Sequence, residues 1–351
     1  MLGGSRPCVA DPQVVEPSLP ARLHGTGLYV TGDSLQIDSH NLAFAPQYPL
    51  WSDGATKRRW IYLPPGTAID ASRPDAWEFP VGTRLWKEFA LPATGGTQTR
   101  PVETRFVERL ANGSWRYAVY VWNDDGTEAA LAPADGVAAL SVPGALNGRY
   151  IVPSRSDCLA CHEGAAVPVL GFSALQLSPD RDPLAPHAEA RSDIDLRSLL
   201  ARGLIKNLPP ALISTPPRIA AKSPVERASL GYLHGNCGHC HNDNGTPAPV
   251  DLILAQSIEL AGTGTERVLR SVIEAGSRFH PRPDSGISSS GTALVVPGRP
   301  DASVLIARVR SRNPQIQMPP LGSRLRDAEA LALLERWIAD LSPHATKESK
   351  P

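Results

Sequence analysis

The pattern of apolar positions changes along this chain. Across residues 41–150, runs such as Trp115-Arg116-Tyr117-Ala118-Val119-Tyr120-Val121-Trp122 are aromatic and β-branched and show no helical stripe. Residues of that kind favour a pleated, half-buried surface. The run ends at Asn123-Asp124-Asp125-Gly126, a turn signal. Stretches 83–91 and 103–110 read as further strands. Six of the seven tryptophans (Trp51, Trp60, Trp77, Trp86, Trp115 and Trp122) fall in the same region. Several short strands separated by polar turns predict a β-rich N-terminal domain, a small sandwich or barrel.

After residue 150 the signals turn helical. Region 151–222 carries one candidate helix over 193–204, with Ile194, Leu196, Leu199, Leu200 and Leu204 towards a core and Gly203 weakening its end. Region 223–342 begins with Ser223-Pro224-Val225-Glu226, a capping box with proline at the first helical position. The helix would present Val225, Ala228 or Ser229, and Tyr232 or Leu233 on one side, and it runs into Cys237. Near the other end Asp327 can cap a helix whose Leu331, Leu334, Ile338 and Leu341 share a face. Residues 1–40, rich in Pro and Gly with no clear period, read as a tail or linker, and 343–351 as a second tail. The fold class is multidomain α+β: the β-rich region 41–150, then a mainly α remainder.

Two pentapeptides bring chemistry to this layout: Cys158-Leu159-Ala160-Cys161-His162 and Cys237-Gly238-His239-Cys240-His241. Cys-x-x-Cys-His is the peptide to which haem is covalently attached. The cysteines form thioethers to the haem, and the histidine supplies the proximal nitrogen to iron. Together the copies use four of only five cysteines. A zinc site from two knuckles is the competing reading. Zinc ribbons separate their knuckles by about 15–20 residues, far less than the stretch from Cys161 to Cys237, and zinc leaves the histidine after each knuckle unexplained. A thioredoxin-like pair would account for one motif and not both. Two haem c groups are therefore expected.

The chain has two methionines, Met1 and Met318. Met318 lies in Gln317-Met318-Pro319-Pro320-Leu321-Gly322, well after His241. A thioether opposite histidine is the usual sixth ligand of electron-carrying cytochromes c and raises the potential. The prolines stiffen its loop. A core-filling methionine is the alternative. Helices bracketing a haem motif, with methionine before the last, is the order of a class I cytochrome c.

Composition narrows the rest. Thirty-five basic and 35 acidic residues cancel, which argues against a nucleic-acid partner. Thirty-five prolines, about twice the usual ~5% share, spread along the chain as in a loop-rich globular protein. No run approaches the roughly 18 apolar residues of a membrane span. The opening Met1-Leu2-Gly3-Gly4-Ser5-Arg6-Pro7 lacks the apolar core of a secretory signal. Because c-type haem is attached outside the bacterial cytoplasmic membrane, a periplasmic or otherwise exported location is expected, with a signal removed or the start misplaced. Cys8 follows a poor lipidation box and reads as an unpaired thiol.

The chain resembles a family of bacterial dihaem c-type cytochromes with a β-rich N-terminal domain. The resemblance rests on Tyr48-Pro49-Leu50-Trp51-Ser52-Asp53-Gly54-Ala55-Thr56-Lys57-Arg58-Arg59, Phe79-Pro80-Val81-Gly82-Thr83 and Tyr150-Ile151-Val152-Pro153-Ser154. It continues through Asp157 to His162, Leu170-Gly171-Phe172, Gly231 to His241, Pro297-Gly298-Arg299-Pro300 and Met318 to Gly322. It implies an exported electron-transfer protein and assigns no chemistry to the β-rich domain.

The first haem has no second methionine to sit opposite His162. A histidine, with His187 as the local candidate, another donor such as Lys57 or a tyrosine, or an open position are the alternatives. His187 otherwise reads as a solvated loop residue and Lys57 as part of an exposed charged run. His234 is expected to pack near the haem edge or face water. His239, at a variable position of the attachment loop, is not expected to ligate. His24, His40, His280 and His344 have no distinguishing context.

Three function classes follow. The favoured one is a dihaem electron carrier with unequal axial ligation, passing electrons between a donor and an acceptor redox protein. Another is a peroxidase- or oxidase-like enzyme using an open first haem fed by the second. The third is a β-rich domain whose tryptophans bind a partner or carbohydrate. An electron carrier is favoured over a catalyst.

Overall fold

The computed structural model describes residues 18–32, 35–93, 98–189, 194–245, 251–259, 263–273, 275–277, 279 and 293–342. Its strands are β1 (Leu42–Ala43), β2 (Thr56–Tyr62), β3 (Ile69–Asp70), β4 (Arg84–Pro92), β5 (Thr99–Arg109), β6 (Trp115–Trp122), β7 (Ala129–Leu131), β8 (Val137–Ser141), β9 (Arg149–Val152) and β10 (Ile205–Lys206). Its α-helices are α1 (Arg155–His162), α2 (Leu196–Ala201), α3 (Pro210–Ser214), α4 (Pro224–Asn236), α5 (Gly264–Val272), α6 (Val304–Arg310) and α7 (Ala328–Asp340). An N-terminal antiparallel β-sheet region is followed by a mainly helical region.

The main sheet has six strands in the order β1-β2-β4-β5-β6-β7. Period-two alternation divides its side chains between two faces. Trp60, Trp86, Phe106, Ala118, Tyr120 and Trp122 lie on one face, under Leu23, Leu28 and Tyr29. The Trp86 indole donates to Thr26 Oγ1 at 2.8 Å, and Tyr120 Oη donates to the Pro20 carbonyl at 3.0 Å. Residues 18–32 are therefore not the tail expected for 1–40; they cover one face of the sheet. Residues 1–17, with Cys8, and the tail at 343–351 lie outside the described residues. The β-rich region expected over 41–150 is present: besides the main sheet it holds the two-stranded sheet β8-β9, whose Leu140, Tyr150 and Val152 pack on Phe89, Tyr117 and Val119.

The opposite face joins the sheet to the first haem region. Ile61 and Leu85 share a cluster with Phe172, Leu177, Ile194, Leu196 and Leu199. β10 pairs in parallel with β3. The helix expected over 193–204 is shorter: Asp195 caps α2 in a reciprocal capping box with Ser198. Gly203, at φ 67°, follows the helix, and the chain turns into β10. Regions 41–150 and 151–222 thus share one core.

The helical region packs α4 against α7 through Leu230, Leu233, Leu331, Leu334 and Ile338. Both helix starts lie where the sequence places them. Ser223 accepts from the Glu226 N–H at 3.1 Å, and Asp327 from the Ala330 N–H at 3.1 Å. The carboxylate of Glu226 turns instead to the Lys222 N–H at 2.8 Å, so the expected capping box is half made.

Residues 48–53 clasp this region to the sheet domain. A Cβ on Gly231 would meet the Tyr48 ring at 2.0 Å, and one on Gly235 the Tyr48 carbonyl oxygen at 2.3 Å. Only glycine allows that approach. Asn236 accepts from the Trp51 N–H at 2.7 Å and donates to the Pro49 carbonyl at 3.2 Å. The Asp53 carboxylate accepts from the N–H groups of Arg324 and Leu325, both at 2.9 Å.

Candidate functional site

The first motif is the helix α1 itself. Ser154 caps it: the Asp157 N–H donates to Ser154 Oγ at 3.1 Å, and the Ser154 N–H donates back to Asp157 at 2.9 Å. Three residues apart on a helix, Cys158 and Cys161 share a face, and His162 adjoins them. Cys158 packs against Tyr117, Val119 and Val152, and the Tyr117 ring lies 5.2 Å from that of His162. His162 Nδ1 lies 2.5 Å from the Pro168 carbonyl. Donation there fixes the tautomer and leaves Nε2 as the free lone pair, the arrangement of an imidazole that ligates metal. Burial lowers the His162 pKa to about 4, so the ring is neutral at physiological pH.

The second motif is a turn at the end of α4. Cys237 donates its N–H to the Leu233 carbonyl at 2.9 Å, and His241 donates its N–H to the Cys237 carbonyl at 2.9 Å. Burial again keeps the imidazole neutral by lowering the His241 pKa, with a smaller contribution from Arg308. His241 Nδ1 is buried with no acceptor among the described residues. Pro247, six residues after His241 as Pro168 is after His162, lies outside them. A cavity of about 470 Å3 opens beside this motif, lined by Cys240, His241, Ile253, Arg267 and Arg270 among others. That is within the ~300–1,000 Å3 range of ligand sites.

Met318 is connected to the second motif through Arg308. Its N–H donates to the Arg308 carbonyl at 3.1 Å, and the Arg308 guanidinium is the cation that acts on His241. The Met318 side chain is half buried.

The two motifs meet. Asn242 Nδ2 lies within hydrogen-bonding distance of the carbonyls of Gly164 at 2.9 Å, Gly238 at 2.8 Å and His239 at 3.0 Å. The turn after the first motif is therefore tied to the loop of the second. The cysteines feel one another too: after burial, Cys161 is the next cause of the raised Cys240 pKa.

Both motifs fit covalently held haem. In each, two free thiols stand beside a neutral histidine. The alternatives fit less well. Burial pushes the Cys237 thiol up to about 12 and Cys240 up to about 11, whereas Cys-x-x-Cys redox centres need a lowered thiol pKa. Among the described residues no three or more His, Cys, Asp or Glu side chains converge as for a metal ion.

The candidates for the first haem's far side are spread apart. His187, at φ 57°, points Nε2 at the two Asp327 oxygens, 2.9 and 3.0 Å away, and Nδ1 at Glu329, 3.5 Å away. Its ring lies 4.7 Å from that of Trp51. Both nitrogens therefore face carboxylates at the start of α7. The Lys57 amine donates to the Leu50 carbonyl at 2.9 Å, and burial lowers its pKa to about 8. His234 Nδ1 accepts from the Gln256 N–H at 3.1 Å, which places the proton on Nε2 and removes that nitrogen as an iron donor. Sequence reasoning missed Lys87 and Arg105, whose charges both reach His162. Lys87 had one readable signal: it sits between Leu85 and Phe89 on the strand face that turns inward. His280 and His344 lie outside the described residues.

A comparison with protein families matches residues 270–322 to the family described as Planctomycete cytochrome C. That segment holds Met318 and neither attachment motif. No curated protein and no solved structure matches the chain. The cytochrome c likeness implies haem-based electron transfer. Among the described residues, no helix is long and apolar enough to cross a membrane.

Proposed function

We propose that the chain is an exported dihaem c-type cytochrome, carrying electrons between two redox proteins through haems of unequal axial ligation. The observation that carries this reading is the Asn242–Gly164 hydrogen bond at 2.9 Å, which makes the two attachment motifs neighbours. Haem supplies one-electron chemistry, while the protein supplies ligation, orientation and burial. Cys158, Cys161 and His162 would hold the first group, and Cys237, Cys240 and His241 the second. Pro168 orients His162 through Nδ1, and the main sheet covers one side of the first motif. Met318, anchored on Arg308, would complete the second site and raise its potential relative to the first. Electrons would then pass from the first haem to the second.

Haem counting tests this on the holoprotein and on Cys-to-Ser pairs at each motif. Two haems in the parent and one in each paired variant are expected. One haem in the parent, or loss of both from either variant, would count against two independent attachment sites. Rapid oxidation of the reduced protein by peroxide, with turnover, would favour the enzyme reading instead.

A further inference from the structure

The face of the sheet that turns towards the first motif carries a line of cations. Antiparallel register sets Arg59 opposite Lys87, and Lys87 opposite Arg105. Alternation puts Lys57 on the same face of β2. Two of these charges are answered by carboxylates. Arg59 donates to Glu189 at 2.6 and 2.8 Å, and Arg105 donates to Glu103 at 2.7 Å. Lys57 reaches the Leu50 carbonyl, with Glu189 and Asp327 acting on it through space.

Lys87 is different. Among the described residues it makes no hydrogen bond or ion pair, and its ammonium lies over the Phe89 ring at 4.7 Å. It is part-buried, and after burial itself the guanidinium groups of Arg59 and Arg105 weigh most against its charge, with Lys57 adding to them and Glu189 opposing them. An ammonium in such a place is costly unless an anion faces it. An apolar residue at this inward position would pack without that cost. The surroundings point to the anion: the register runs from Lys87 through Arg105 to Val119, and Val119 packs with Cys158, so Lys87 lies on the sheet face that carries the residues that would anchor the first haem. A haem brings two propionate carboxylates with it.

We propose that Lys87, flanked by Arg59 and Arg105, is the cationic partner of a propionate of the first haem. This rests on the dihaem reading. Paired there, Lys87 would set a positive charge against a propionate's negative one. That pairing disfavours the ferric state, and so partly offsets the absence of a methionine ligand at this site.

The test uses the holoprotein with Lys87→Gln, which removes the charge, and Lys87→Arg, which keeps it and cannot ligate iron. Lys87→Gln is expected to raise the ferric-to-ferrous ratio of the first haem at the parent's midpoint by about tenfold, a shift of about 59 mV. Lys87→Arg is expected to keep the parent's potential, and neither variant should change spin state. Loss of the first haem from Lys87→Gln alone, with Lys87→Arg unaffected, would equally support a charge requirement. An unmoved potential in Lys87→Gln overturns the proposal. So does a change of spin state or loss of haem in both variants, the former marking Lys87 as an iron ligand. A parent that binds a single haem overturns the dihaem reading itself, and haem counting separates that failure from the others.

Discussion

The side-chain amide of Asn242 donates to the carbonyl of Gly164 at 2.9 Å, joining the residue after His241 to a turn two residues past His162. The same nitrogen also faces Gly238 and His239. One asparagine therefore bridges the two motifs.

Asn242→Ala should destabilise the holoprotein by about 1 kcal/mol or more, since it removes part-buried hydrogen bonds worth about 0.5–1.5 kcal/mol each. Chemical denaturation followed at the haem absorption bands measures it. The exposed neighbour change Asp243→Ala, whose ion pair with Arg267 is at the surface, should cost less than about 1 kcal/mol.

Met318→Ala should lower the potential of the haem held at Cys237 and Cys240, because a sulfur ligand that favours ferrous iron is lost. It should also open that iron to added imidazole or carbon monoxide. Spectroscopic titration of the variant checks both, and an unchanged spectrum and potential would refute the ligand assignment.

Gly235→Ala should be harder to accommodate than Gly231→Ala. At Gly235 the new Cβ meets the Tyr48 main-chain carbonyl at 2.3 Å; at Gly231 it meets the Tyr48 ring at 2.0 Å. Overpacking of this kind costs about 1–3 kcal/mol. Tyr48→Ala should offset part of the Gly231→Ala cost, because it removes the obstructing ring, and none of the Gly235→Ala cost. Melting temperatures of the single and double variants give the coupling.

Asp53→Ala should loosen the segment that follows the methionine loop. The Asp53 carboxylate holds the N–H groups of Arg324 and Leu325, and hydrogen bonds to a charged group contribute about 1.5–3 kcal/mol each. The expected outcome is a lower melting temperature together with easier displacement, by imidazole, of Met318 from the haem proposed at Cys237 and Cys240. Retained stability with unchanged imidazole affinity would show that residues 48–53 do not support the loop.

The elements legible in the sequence are those whose cause is local. Ser223 and Asp327 cap α4 and α7 because cap and first turn are neighbours in the chain. β6 shows in its run of aromatic and β-branched residues. Leu23 and Leu28 read as tail because coil burial has no period, whereas packing on Trp86 and Phe106 from distant strands buries them. At the candidate site, the cysteines and histidines stand out by a spacing that thioether attachment of haem would require. Asn242, Pro168 and Arg105 do not, since each acts through a neighbour that only the fold brings near. Lys87 lay between: its inward parity within β4 marks it, once the strand's buried face is known.

The most direct test is a spectroscopic redox titration of the purified holoprotein. Two haems per chain should titrate at separate potentials, the higher one belonging to the site that Met318→Ala perturbs. A single haem, or two at one potential both unmoved by Met318→Ala, would contradict the account.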